Sequence, residues 1–123
     1  MWNPGYKQYT AEAAVGANLI VKPGSTDDFV AQGAAATDLL MGVSGNIAAV
    51  LGERVDIIKS GIADVLFGGN VTRGNPLTAD ANGKAVVAAP GAGANVRIIG
   101  FAEVSGVSGD IGSVLIVPGY MQG

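Results

Sequence analysis

Short apolar runs, separated by turn-forming residues, make up most of the chain from residue 19 onward. Residues 54–57 alternate polar and apolar side chains, the pattern of a strand with one buried face. The other runs stop at or near glycine, proline, asparagine or aspartate. Together they predict a mainly β protein, a small single-domain β-barrel or sandwich with at most one short helix. The predicted strands are 19–21, 39–43, 54–57, 62–67, 77–79, 85–87, 96–99 and 114–117.

One hairpin and one short helix can be assigned from local signals. Residues 80–84 read Asp-Ala-Asn-Gly-Lys, and an Asn-Gly pair accommodates the positive φ angles of a type I′ turn. This predicts a hairpin between the strands at 77–79 and 85–87. Ser25 or Thr26 is a suitable N-cap for a helix extending to residue 30, and the glycine at residue 33 stops it from continuing.

The first ten residues show neither strand nor helix periodicity. They hold three of the seven aromatic residues, and the Pro4-Gly5 pair is a turn signal that interrupts a regular element. Because Trp and Tyr are common in protein interfaces, the segment is either a terminus folded onto its own domain or an arm that docks on another chain. We predict an extended N-terminal arm, 1–18, followed by a compact β domain, 19–123.

Composition narrows the possible functions. The 123 residues include no cysteine and no histidine, which excludes disulfides, thiolate chemistry and histidine as a base or metal ligand. The net charge is −3 and no basic run exists, so nucleic acid is not an expected partner. No apolar stretch approaches the ~20 residues that span a bilayer and no signal peptide is evident, so no membrane association is expected. Only 14% of residues are charged while 49% are hydrophobic, which favours a component of an assembly because a lone monomer would expose large uncharged patches.

Motifs for catalysis or metal binding are incomplete. Ser44 and Ser108 each lie in a Gly-Val-Ser-Gly segment, which lacks the spacing of a nucleophile elbow and has no histidine to act as base. Asp80 and Asn82 alternate as calcium ligands do, but a lysine follows and no later carboxylate completes the loop. We therefore expect no enzymatic activity, no cofactor and no bound metal.

Two pairs of short segments echo each other within the chain. Residues 61–65, Gly-Ile-Ala-Asp-Val, are similar to residues 100–104, Gly-Phe-Ala-Glu-Val. Residues 42–47, Gly-Val-Ser-Gly-Asn-Ile, are similar to residues 106–111, Gly-Val-Ser-Gly-Asp-Ile. The spacings of the two pairs differ, so they indicate a strand-and-turn pattern used twice rather than a tandem repeat.

Four segments carry a likeness to a known family, at residues 52–65, 69–85, 99–103 and 109–112. They resemble the small capsid decoration, or cement, proteins of tailed bacteriophages. The most characteristic segment is Gly-x-Pro-Leu-Thr-x-Asp-x-x-Gly-Lys at 74–84, and the likeness extends over residues 40–118.

The resemblance implies a structural role without catalytic residues. It implies a compact β fold such as a β-tulip, and homotrimers made in the host cytoplasm that bind the outer capsid surface of the virion. There they would stabilise the expanded head by bridging subunits of the major capsid protein. The residues expected to contact the capsid are those of the arm: Trp2, Asn3, Pro4, Tyr6 and Tyr9.

Two other function classes stay open. A glycan-binding β module on a virion or cell surface needs exposed aromatic rings near amides. Trp2, Tyr6 and Tyr120 lie at the ends of the chain, which disfavours that class. A small carboxylate-dependent hydrolase is disfavoured because no pair among the ten acidic residues is singled out by its spacing.

Overall fold

A computed structural model describes residues 5–122, and within this range the chain forms β-strands and no helix. The strands are short because glycine-rich and asparagine-rich turns interrupt them, as the sequence pattern predicts. Their bounds are β1 (Tyr6–Ala11), β2 (Ile20–Pro23), β3 (Phe29–Gln32), β4 (Gly42–Ser44), β5 (Arg54–Ile58), β6 (Gly61–Leu66), β7 (Pro76–Ala79), β8 (Ala85–Val87), β9 (Asn95–Ala102) and β10 (Ile111–Gln122).

The first five strands close into a barrel in the order β1-β3-β2-β4-β5. Strands β1 and β3 run parallel, and the other neighbours run antiparallel. Closure is made by β5, which pairs with β1 from Tyr6↔Ile58 to Thr10↔Arg54. The polar-apolar alternation of β5 turns Val55 into the buried barrel core while Arg54 stays exposed.

The last five strands form a second sheet in the order β6-β10-β9-β7-β8. Its two outer strands approach each other, because Phe67, just after β6, forms a parallel bridge with Ala85 of β8. The Gly68 N–H also donates a hydrogen bond to the Ala85 carbonyl at 2.8 Å. The sheet is therefore strongly curled and encloses its own apolar side chains.

Two hydrophobic clusters hold these parts together. One fills the barrel and includes Val21 and Ile57. The other is lined by the second sheet and contains Phe67, the largest fully buried side chain among the described residues. It also includes Ile20 and Val43 from the barrel strands. Because β2 sends Val21 into the barrel and Ile20 towards the sheet, one strand joins both clusters. Barrel and sheet form one small domain, and the predicted fold class is confirmed.

The predicted N-terminal arm is corrected for the part of it that the structure describes. Tyr6–Ala11 is strand β1, which closes the barrel, and Val15 forms a bridge with Ala49. The boundary between arm 1–18 and domain 19–123 therefore matches no division among residues 5–122. The pattern failed here because β1 is largely polar and its pairing partners lie far along the chain. Residues 1–4 lie outside the described residues.

The helix predicted from Ser25 or Thr26 does not form. Residues 25–28 make a turn, Asp28 has a φ of 71° in the left-handed region, and β3 begins at Phe29. The Gly24 N–H donates to the Phe29 carbonyl at 2.7 Å, which joins β2 to β3. Strand pairing with β1 and β2 thus overrides the local capping signal. The strand predicted at 39–43 is shorter than expected, since β4 begins only at Gly42.

The hairpin between β7 and β8 is confirmed, but its turn differs from the predicted type. Within the loop only Gly83 has a positive φ (76°), whereas a type I′ turn needs two such residues. The geometry matches a three-residue loop, a type I turn followed by a left-handed glycine. Asp80 favours this form because its Oδ1 accepts hydrogen bonds from the Asn82 N–H (2.8 Å) and the Lys84 N–H (2.9 Å).

Candidate functional site

The first pair of sequence echoes has a direct structural meaning, because its two segments lie on either side of β10. Gly61 of β6 and Gly100 of β9 are both paired with Ile116. One residue further along each strand, Ile62 and Phe101 are both paired with Leu115. The repeated Gly-apolar-Ala-acidic pattern therefore builds matching flanks on a shared central strand.

This register creates an apolar row on the exposed face of the second sheet. Ile62, Leu115 and Phe101 lie side by side on three adjacent strands and are 54%, 36% and 39% exposed. With neighbouring strands about 4.8 Å apart, the three side chains form a continuous strip about 10 Å wide. Pro76 of β7 is paired with Phe101 and extends the strip. We call this strip the apolar row.

An acidic row lies directly beside the apolar row on the same face. Asp64 lies two residues after Ile62 on β6 and is paired with Ser113, which lies two residues before Leu115 on β10. Glu103 lies two residues after Phe101. The Glu103 N–H donates to the Ser113 carbonyl at 2.9 Å, which keeps the three residues in line. Within residues 5–122, neither Asp64 nor Glu103 forms an ion pair. The face therefore presents apolar area next to unneutralised negative charge, a pattern that suits a partner with apolar and basic groups.

The residues predicted to contact the capsid have different positions. Trp2, Asn3 and Pro4 lie outside the described residues. Tyr6 is 60% exposed at the start of β1. Tyr9 is only 6% exposed, packs in the barrel core, and accepts a hydrogen bond at its hydroxyl from Lys59 Nζ at 2.9 Å. Its ring is a core element and unavailable to a partner in the folded barrel, because β1 turns it inward.

The serine of the first Gly-Val-Ser-Gly segment is structural. Ser44 is fully buried, and its Oγ donates to the Gly16 carbonyl at 2.7 Å and accepts from the Leu19 N–H at 3.0 Å. The hydroxyl thus satisfies backbone groups of the 16–19 turn. Ser108, in the second segment, is exposed in the loop before β10.

The acidic residues near the barrel rim are tied to neighbouring groups. Asp28 lies 3.9 Å from Lys7 and 3.8 Å from Arg54. Glu12 accepts hydrogen bonds from the Ser25 hydroxyl (2.5 Å) and the Ser25 N–H (2.6 Å), and these bonds lower the pKa of the Glu12 carboxyl below its ordinary value. Across residues 5–122, no three or more Asp and Glu side chains converge as metal ligands would.

No helix in the described range 5–122 has the length and apolar character to cross a bilayer. This finding concerns helices alone.

The fold has counterparts among solved structures. The fold is similar to that of a phage head fiber. One matching structure is the head fiber gp8.5 N base of bacteriophage phi29, with a TM-score of 0.71, and the match covers 92% of this chain and 93% of that one. Sequence identity over the match is 19%, so the likeness is one of fold. No family model matches the sequence, and no curated protein matches it either.

The sequence carries a signal for the exposed face in its first pair of echoes. The first echo placed an apolar and an acidic residue two apart in both segments, which on a strand sets them on one face. What was missing was the pairing of both segments with β10. The second echo has no such equivalence, because residues 42–44 form β4 whereas residues 106–110 form a loop.

Proposed function

We propose that this protein is a structural component of a tailed-phage head, a cement protein that binds the outer capsid surface. The observation that carries the proposal is the fold similarity to the phi29 head fiber base, which extends over nearly the whole of both chains. The sequence resemblance of residues 40–118 to capsid decoration proteins supports it from an independent direction. In both comparisons the relative belongs to a phage head.

The exposed sheet face is the proposed capsid contact. The apolar row contributes burial energy of about 25 cal/mol per Å² of apolar area removed from water. The acidic row beside it favours a capsid patch that carries lysine or arginine and disfavours an acidic one. Because the row lies across three hydrogen-bonded strands, little backbone order has to be gained on binding.

Bridging of major capsid subunits fits a homotrimer of this chain. Closed three-fold symmetry repeats one contact patch three times without generating fibres. Each contact to the shell can then be weak, since linked contacts raise the overall avidity. Trp2, Asn3, Pro4 and the exposed Tyr6 are proposed as additional capsid contacts.

The proposal is tested with expanded empty heads assembled from the major capsid protein of the phage that carries this gene. The purified protein should cosediment with expanded heads. Leu115→Asp, at the centre of the apolar row, should lower occupancy at least tenfold because it removes apolar contact area and forces a carboxylate to be desolvated between Ile62 and Phe101. Leu51→Asp is the matched control, since Leu51 is more exposed than Leu115 but lies in the barrel loop between β4 and β5.

Reconstruction of decorated heads tests the arrangement. Density clustered at three-fold positions is expected. Isolated monomers at capsomer centres would exclude the trimer and leave the cement role, whereas no cosedimentation at all would exclude the cement role. Equal loss of binding for the Leu115 and Leu51 variants would exclude the sheet face as the contact.

A further inference from the structure

The C-terminal part of β10 and the start of β9 form a two-stranded ribbon with an unusual set of side chains. A register shift between Ile116 and Gly119 separates this ribbon from the rest of the sheet. Beyond it Tyr120 is paired with Arg97, and Gln122 with Asn95. Directly paired residues, and residues two apart, share one face of a ribbon. One face therefore presents an aromatic ring, a guanidinium and two amides.

The aromatic ring, the guanidinium and the Asn95 amide border an open cleft, and the Gln122 amide lies beside it on the same ribbon face. The cleft has a volume of about 210 Å³ and is lined by Thr37, Asn95, Val96, Arg97 and Tyr120. The Arg97 N–H donates to the Ala36 carbonyl at 2.7 Å, which fixes the 33–38 loop beside the ribbon and brings the Thr37 hydroxyl to the cleft. The floor and one wall are thus held by backbone hydrogen bonds.

The polar groups of this cleft are free to bind a ligand. The Arg97 guanidinium carbon lies 5.7 Å from the centroid of the Tyr120 ring, and that tyrosine is 70% exposed. Among residues 5–122, the side chains of Thr37, Asn95, Arg97, Tyr120 and Gln122 make no hydrogen bond or ion pair with the protein. In the described part of the chain, none of the other six Lys and Arg residues lines the cleft, so Arg97 alone supplies its positive charge.

We propose that this cleft binds one residue of an anionic saccharide, a sugar that carries a carboxylate. The exposed Tyr120 ring offers a flat apolar surface for the C–H face of a sugar ring. The Arg97 guanidinium matches the geometry of a carboxylate and can bind it through two parallel hydrogen bonds. The amides of Asn95 and Gln122 and the Thr37 hydroxyl both donate and accept, as sugar hydroxyls require.

The size and charge of the cleft distinguish this ligand from others. Drug-sized ligands occupy pockets of roughly 300–1,000 Å³, so a cleft of this smaller volume suits a single sugar residue. Stacking plus arginine also fits a nucleobase. However, a nucleic-acid backbone needs a track of several cations, and here one guanidinium acts within a chain of net charge −3. The carboxylated sugar is therefore the favoured ligand.

The test is a titration of the full-length ¹⁵N-labelled protein with trigalacturonate, maltotriose and a thymidine trinucleotide. Trigalacturonate should shift the side-chain amide signals of Asn95 and Gln122 and the backbone signals of the ribbon. Maltotriose, which has the rings without carboxylates, should bind at least tenfold more weakly. Tyr120→Ala and Arg97→Gln should each weaken trigalacturonate binding at least tenfold, whereas Tyr120→Phe should retain it. The matched control is Tyr6→Ala, which removes a similarly exposed tyrosine from the barrel.

Several results would overturn the inference. They are no shifts in the ribbon up to about 10 mM trigalacturonate, equal weakening by Tyr6→Ala, or stronger binding of the trinucleotide than of trigalacturonate. A change of oligomeric mass in the Tyr120 and Arg97 variants would also overturn it, because the ribbon would then be a contact between copies. Capsid occupancy of the unmodified protein is measured in parallel. If the unmodified protein occupies heads but binds no sugar, the saccharide site alone is rejected. If it binds sugar but does not occupy heads, the cement role alone is rejected.

Discussion

Two buried hydroxyl groups of this domain should respond in opposite ways to removal. Ser44 Oγ partners the Leu19 N–H and the Gly16 carbonyl, so Ser44→Ala leaves a buried backbone donor unpaired. A lost partner of this kind costs about 1–3 kcal/mol. Thr78 is also buried, but its Oγ1 has no hydrogen-bond partner among residues 5–122. Thr78→Val keeps the shape and removes the unpartnered hydroxyl, so it should stabilise the domain by as much as about 1–3 kcal/mol.

Urea unfolding of the two variants measures both effects. The midpoint should fall for Ser44→Ala and rise for Thr78→Val, with m unchanged because the same surface is exposed on unfolding. Each kcal/mol corresponds to roughly 2–8 °C in Tm for domains of this size range. Ser108→Ala is the matched control, since that serine has the same Gly-Val-Ser-Gly context but is exposed, and should change stability by less than about 0.5 kcal/mol. Destabilisation by Thr78→Val of more than about 1 kcal/mol, or a neutral Ser44→Ala, would contradict these predictions. Either result would mean that the two hydroxyls have other hydrogen-bond partners in solution.

Three further predictions concern the barrel, an exposed carboxyl and a tight turn. Deleting residues 1–10 should unfold the domain, because it removes most of the strand that closes the barrel. Unfolding would be seen as loss of the cooperative thermal transition. A truncated protein that still folds would contradict the role of β1. Glu12→Gln should lower the urea midpoint at neutral pH. The Ser25 hydrogen bonds hold the folded pKa of Glu12 below its ordinary value of 4.5. The stabilisation of the folded state by this carboxylate is therefore present above pH 4.5 and disappears as the pH falls through the lowered pKa. A difference in urea midpoint between Glu12→Gln and the unmodified protein that does not change with pH would exclude this carboxyl as the cause. Gly83→Ala should lower the free energy of unfolding more than Gly93→Ala does. The Gly93 substitution should lower it by about 1–2 kcal/mol, because alanine is strained at a positive φ. Both glycines have a left-handed φ, but only at Gly83 would a Cβ meet a carbonyl oxygen of β2, at 3.1 Å; equal midpoints in urea would argue against that contact.

The sequence by itself determined the fold class and most of the strands of the second half of the chain. Strand β5 follows from its polar-apolar alternation, β6 follows from a short apolar run that ends at glycine, and the β7–β8 hairpin follows from its turn residues. Both signals act over a few neighbouring residues, because side-chain direction alternates along a strand and turn geometry depends on local φ angles. The absence of histidine and cysteine likewise limited the possible chemistry without any structure.

The tertiary structure alone decided the roles of the N-terminal residues. Strand β1 is recognised only through its pairing with β5, whose residues lie some fifty positions away. Tyr6 and Tyr9 are the same residue type three positions apart, yet one is exposed and the other packs in the barrel. No local pattern separates them, because burial depends on which distant strands surround each side chain.

Tertiary pairing also created both candidate surfaces. The apolar row exists because two similar segments align on β10, and the ribbon cleft exists because Tyr120 comes opposite Arg97. The two members of that second pair are separated by the whole β9–β10 connection, and the register shift after Ile116 sets which residues meet. An extra residue in one strand changes which side chains share a face, and this depends on backbone geometry that periodicity in the sequence does not record.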